Sequence, residues 1–156
     1  MNVETLSETK NTETTPEPNV RQAVPFFMVT NMEASLRYYV DGVGFQMTNK
    51  WIDEGKLRWC WLQLGGAALM LQEYRKERVP AGRLGEGVSV CFMCQDALAI
   101  YRQVKSRGIE AKRPFVGNGL WVTSLSDPNG YRIDFESPTD VPEETVLSEQ
   151  ECGTSS

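Results

Sequence analysis

The sequence predicts an α+β fold: two tandem βαβββ modules, whose strands form a curved mixed sheet around a cleft with the helices on the outer face. Two observations predict it. An apolar strand, a helix-capping residue and a helical period occur in that order twice, with an offset of about 64 or 65 residues. Each occurrence is followed by three further strand-like pieces broken by turn formers. At 156 residues the chain has the length of one domain that can bury a real core.

The chain reads in order as follows. Residues 1–22 are rich in Glu, Thr, Asn and Pro and cannot bury enough apolar surface to offset their ordering entropy, so a disordered tail is expected. Val24–Val29 is a dense apolar run and reads as a buried strand, with Pro25 placing it at an edge or at the strand's beginning. Asn31 caps a helix in which Leu36, Tyr39, Val40 and Val43 keep one buried face, and Gly42 and Gly44 end it. Three strands follow: Phe45–Ile52, Leu57–Leu64 and Ala67–Glu73, turned at Glu54-Gly55 and at Gly65-Gly66. This first module spans 23–74.

Residues 75–86 form a linker of charge and turn formers, with Arg75, Lys76, Arg78 and Arg83 beside Pro80, Gly82 and Gly85. It reads as a solvated loop, with steering of an anionic substrate as the other role. The second module spans 87–136. Val88–Met93 is its first strand. Asp96 caps a helix with Ala97, Ile100, Tyr101 and Val104 on its inner side, closed by Gly108. Ile109–Pro114 reads as a short edge strand and Leu120–Leu125 as the next. Asp127-Pro128-Asn129-Gly130 then makes a tight turn into Tyr131–Glu136, where alternation sets Asp134 and Glu136 on one face. Residues 139–156 read as an acidic flexible tail.

Charge and composition exclude several classes. The formal charge is −5, but residues 1–22 and 137–156 together sum to −7, leaving residues 23–136 with 12 acids and 14 bases. No basic face is dense enough for nucleic acid. No apolar run approaches the roughly 20 residues that cross a bilayer, and the first residues resemble no export signal, so a cytoplasmic protein without membrane or nucleic-acid partners is expected. Histidine is absent from the whole sequence. Ser-His-Asp and Cys-His chemistry is therefore excluded, as is any His-based metal site. A general acid or base has to be Asp, Glu, Lys, Tyr or Cys. Cys91 and Cys94 have redox-pair spacing, but residues three apart on a strand point to opposite faces, so buried structural thiols are expected.

Three segments, taken together and in order, resemble the vicinal oxygen chelate superfamily of glyoxalases, bleomycin-resistance proteins and extradiol dioxygenases. Met28–Tyr39 with Gly42-Val43-Gly44-Phe45 is similar to its first strand-to-helix segment. Leu64–Met70 is similar to its central hairpin, and Asp127–Asp134 to its last. The resemblance covers residues 23–138. It implies a fold shared by several chemistries and by members that only bind, and it implies a homodimer with clefts at or near the interface.

Enzymes of the family hold one divalent metal with four side chains, at equivalent points of the first and fourth strands of each module. The resemblance puts those points at Val24, Met70, Ser89 and Asp134. Only Asp134 is a good ligand, and a one-residue slip offers Gln72 or Glu73 at best, so neither a metal nor another cofactor is expected. Alternation adds Phe26, Met28, Ala68, Gln72, Cys91, Met93, Arg132 and Glu136 to the cleft side. Four tryptophans, Trp51, Trp59, Trp61 and Trp121, are further candidates for an aromatic wall, against packing in the core or a dimer interface. The expected ligand-binding set is Asp134, Trp59, Trp61, Trp121, Phe26, Met70, Ser89 and Gln72, with no catalytic residue. Asp134 would anchor a cationic or hydroxylated ligand or act as a general base; pairing with Arg132 is its structural alternative.

Three functions compete. The first is a small-molecule-binding protein for an unidentified, largely apolar or aromatic ligand, with antibiotic sequestration as one use. Bleomycin itself is cationic, and the basic excess of residues 23–136 argues against it. The second is a lyase, isomerase or dioxygenase with an atypical metal or carboxylate site around Asp134. The third is a scaffold with a vestigial cleft.

Overall fold

The computed structural model describes residues 14–152. The part of the expected N-terminal tail at residues 1–13 lies outside that range, and residues 14–22 are exposed and without regular structure. Strand β1 is Phe26–Val29. Pro25 stands just ahead of it, where a missing N–H is harmless, and its carbonyl accepts from Met70 N at 2.9 Å. Helix α1, Met32–Leu36, begins where the Asn31 side chain accepts from Ala34 N at 3.0 Å. The helix then widens into a π-helical stretch, Arg37–Val43, and closes where Gly44 N donates to Tyr39 O five residues back. Gly44 takes φ +104, which only glycine adopts cheaply.

Strands β2 (Gln46–Asp53), β3 (Lys56–Leu64) and β4 (Ala67–Glu73) complete the first module. The second module runs through β5 (Ser89–Met93), α2 (Ala97–Ser106), β6 (Phe115–Gly117), β7 (Leu120–Ser126) and β8 (Arg132–Pro138), with a last helix, α3, at Glu149–Cys152. Each module forms one four-stranded mixed sheet, ordered β1-β4-β3-β2 and β5-β8-β7-β6. In both, the first strand pairs in parallel with the fourth and the remaining pairs are antiparallel. Phe26 faces Met70 in the first sheet, and Cys91 faces Asp134 in the second.

One apolar core joins the modules. Val29, Leu69, Leu71, Cys60 and Leu62 from the first sheet meet Phe92, Ile133, Phe135 and Leu125 from the second, with Tyr39, Val43 and Val104 from the helical layers between. Phe45 and Phe92 touch across the module boundary with ring centroids 5.8 Å apart. A fully buried side chain of this kind contributes about 1.5–3 kcal/mol, so this core is the main force holding the two sheets to each other.

The Asp127–Gly130 turn adds a polar clasp. Asp127 Oδ1 accepts from Asn129 N and Tyr131 N at 2.8 and 2.9 Å, which closes the turn. Its Oδ2 accepts from the Tyr39 hydroxyl at 2.8 Å, in the other module. Tyr131 stacks on Phe27 at 4.2 Å and donates to Met28 O at 2.9 Å. The Asn129 amide donates to Thr30 Oγ1. The linker fits closely over this clasp: a Cβ on Gly85 would lie 2.4 Å from the Tyr131 ring.

Three expectations differ from what is found. The short strand lies at Phe115–Gly117 rather than Ile109–Pro114, because Asn118 and Gly119, at φ +53 and +72, form the tight turn that pairs it with β7. Residues 139–148 are not a loose tail. Val116 N donates to Thr145 O, Glu144 N to Val116 O and Leu147 N to Pro114 O, while Glu143 accepts from Asn118 N and Gly119 N. Leu147 is buried by this pairing, which covers the edge of β6. Of the thiols, Cys60 is buried but Cys91 is exposed and Cys94 only partly covered, because Cys91 lies on the sheet face away from the core.

Candidate functional site

The face of each sheet opposite the core is open. On the first sheet, strand pairing lines up two rows. Phe26, Met70, Trp61 and Asn49 form one; Met28, Gln72, Trp59 and Trp51 form the other. Phe26 is 49% exposed and Trp51 50%. The Trp61 indole N–H donates to Gln63 Oε1, which orients that ring on the face. Two irregularities in the β2–β3 pairing shape this surface, one between Met47 and Asn49 and one between Trp51 and Ile52. The second makes Arg58 the extra residue, so Leu57 still reaches the core although it is out of phase with Cys60 and Leu62.

On the second sheet the open face carries three rows: Ser89, Arg132 and Ser126; Cys91, Asp134 and Ser124; Met93, Glu136, Val122 and Phe115. Asp134 is only 3% exposed although it lies on this open side, and it accepts from Arg132 Nε at 3.1 Å. The ligand atoms of Cys91, Asp134 and Glu136 all lie within 4.8 Å of one another. Although Cys91 is exposed, partial desolvation of its sulfur pushes the thiol up from its usual range, and the neighbouring Glu136 and Asp134 carboxylates add to the shift.

The expected site residues fall into two groups. Phe26, Met70, Gln72, Trp59 and Trp61 gather on the first sheet; Ser89 and Asp134 lie on the second. Both groups point away from the shared core, so one chain does not bring them face to face. Trp121 joins neither. It pairs with Ser137 and Val116, on the helix side, where the Ser137 hydroxyl accepts from Ala97 N and Thr123 donates to Ala97 O. Trp51, Cys91 and Glu136, which the sequence puts at the cleft but outside the expected ligand-binding set, lie on the open faces, and Arg58 is an addition. Trp51 was visible only as one tryptophan among four, and Arg58 becomes distinctive only through an irregularity in pairing.

A profile of the Glyoxalase/Bleomycin resistance protein/Dioxygenase superfamily matches residues 21–135. The chain belongs to this superfamily. Solved structures of the same fold include TnmS3, an antibiotic binding protein from Streptomyces sp. CB03234, at TM-score 0.62 and 20% identity over 78% of this chain and 99% of that one. A bleomycin-binding protein complexed with bleomycin aligns at TM-score 0.59 and 23% identity, over 76% and 98% of the two chains. A bleomycin resistance determinant encoded on the transposon Tn5 aligns at 0.60 and 23%, over 78% and 100%. Among curated proteins none is similar enough in sequence to count as a relative.

The resemblance suggests Val24, Met70, Ser89 and Asp134 as the positions at which some members of the superfamily hold a metal. Val24 and Met70 bring no oxygen or nitrogen donor, Ser89 brings a neutral hydroxyl, and Asp134 already holds Arg132. Cys91, Asp134 and Glu136 form a different group, confined to the second sheet.

Proposed function

We propose that the chain is a small-molecule-binding protein, which takes a largely apolar or aromatic ligand on the open face of the first sheet, and that antibiotic sequestration is one use of that capacity. The observation that carries this reading is the row of Met28, Gln72, Trp59 and Trp51, an apolar and aromatic surface that the chain's own core leaves uncovered. Ligand sites combine such walls with a few polar groups, and Gln72 and Gln63 supply amides here. The antibiotic-binding structures of the same fold support the reading.

A homodimer in the cytoplasm belongs to the same proposal. The open faces of the two sheets would meet across a two-fold axis, bringing Ser89 and Asp134 of one protomer toward the aromatic rows of its partner. Asp134 would then anchor a polar end of the ligand.

Quenching of tryptophan emission by a panel of antibiotics and aromatic metabolites tests the binding reading. A saturable quench is expected, lost in Trp59→Leu and weakened in Asp134→Ala with the fold retained. No quench from any compound would overturn it. The grouping of Cys91, Asp134 and Glu136 favours a second reading, a metal-assisted lyase, isomerase or dioxygenase. Metal content after purification without chelator separates the two: a stoichiometric ion, lost in Glu136→Gln, would support the enzyme.

A further inference from the structure

The end of the first sheet carries cations that an apolar face does not need. A pocket of about 390 Å³ opens where the second aromatic row ends, lined by Met28, Trp51 and Gln72 and by Arg58, Arg75 and Arg78. Its carboxylates are Asp53 and Glu73. Glu73 is fully engaged: Lys56 and Arg58 pair with its Oε1, and Met32 N donates to Oε2. Arg75 and Arg78 have no ion-pair partner among the described residues. They come soon after β4, Arg75 just before and Arg78 at the end of a short 3₁₀ turn, Lys76–Arg78, so the chain path itself delivers two guanidinium groups to the rim beside Trp51. Asp53 alone offsets them.

We propose that this pocket selects anionic aromatic molecules, with the ring system against Trp51 and Met28 and a carboxylate, sulfonate or phosphate end held by Arg75 and Arg78. The inference rests on the reading of the first sheet as a small-molecule site and adds the charge of its ligand. The volume lies at the small end of ligand pockets, which fits one fused ring system with one charged group. A guanidinium fork can aim two N–H groups at two oxygens of a carboxylate, sulfonate or phosphate, and a cationic ligand would meet net repulsion at the same place.

The test uses two dyes of nearly the same shape, anilinonaphthalene sulfonate and its uncharged parent, N-phenyl-1-naphthylamine. Affinities are read by dye fluorescence and tryptophan quenching on the full chain. The sulfonate is expected to bind the tighter of the two. Arg75→Gln with Arg78→Gln is expected to weaken it about tenfold or more, the loss of a charged hydrogen bond, while leaving the uncharged dye unchanged. Arg102→Gln, an exposed charge on α2 away from the pocket, is expected to change neither. Equal affinities for the two dyes, unaffected by the double substitution, would leave the aromatic site standing and overturn the anion preference. Binding of neither dye would overturn both. Matching circular dichroism spectra for the variants exclude a folding defect.

Discussion

Glu73 shows how one side chain is asked to do several things. It ends β4, pairs with Lys56 and Arg58, and receives the first N–H of α1. Burial alone would raise its pKa, but the bonds from Lys56 and Met32 N, with the charges of Lys56 and Arg58, outweigh burial and hold it below the ordinary value of 4.5. A depressed carboxylate contributes stability above its unfolded pKa and loses it as pH falls through the folded one. Glu73→Gln should therefore be less stable than the wild type near neutral pH, and the gap should shrink as the pH falls below 4.5 and vanish once the folded state also protonates Glu73. Urea midpoints near neutral pH and in acid check this, and a gap that persists in acid would refute it. At this scale the sequence was legible where the chemistry is local. Asn31 and Asp96 cap their helices because each needs only its own oxygen and an N–H three residues on. Trp121 was not legible, because its side of the sheet depends on strand parity, and nothing local tells a tryptophan facing α2 from one facing a ligand.

Among the elements, the turn at Asp127–Gly130 was readable as a turn, but its attachment to the other module was not. A Pro-Asn-Gly pattern specifies backbone angles; it says nothing about a tyrosine 88 residues away. Desolvation raises the pKa of Asp127 even though Tyr39 and the turn's own N–H groups stabilise its charge, and burial raises that of Tyr39. Tyr39→Phe leaves the buried carboxylate short of one donor and should cost about 1–3 kcal/mol in denaturant unfolding. A loss within error would remove the clasp from the account. The same limit explains residues 139–148, though not β6. The Asn118-Gly119 turn is a strong local signal, and Phe115 and Val116 ahead of it are more apolar than Ile109–Pro114, which carries Glu110, Lys112 and Arg113; the expected strand lies one segment too early. The acidic residues after β8 pair with an edge that exists only in three dimensions.

In the whole molecule, the repeat made the architecture legible, since two similar modules must solve the same burial problem in the same way. The two open faces were not legible, because the joining of both helical layers into one core depends on packing between distant segments. Those faces lead to a prediction about assembly. Light scattering should give twice the chain mass, and Phe26→Glu, which charges the first open face, should give a monomer with an unchanged fold. A monomeric wild type would end the shared-cleft proposal. The clasp bears on time as well as on stability. Its bonds link residues 88 to 103 positions apart, so they close some of the longest loops in the chain. Such closures cost entropy before any contact compensates, and each sheet can be completed without them. The modules should thus form first and engage each other late. Tyr39→Phe then belongs to the substitutions that speed unfolding and leave the folding rate nearly untouched, making this junction the place where the protein first comes apart.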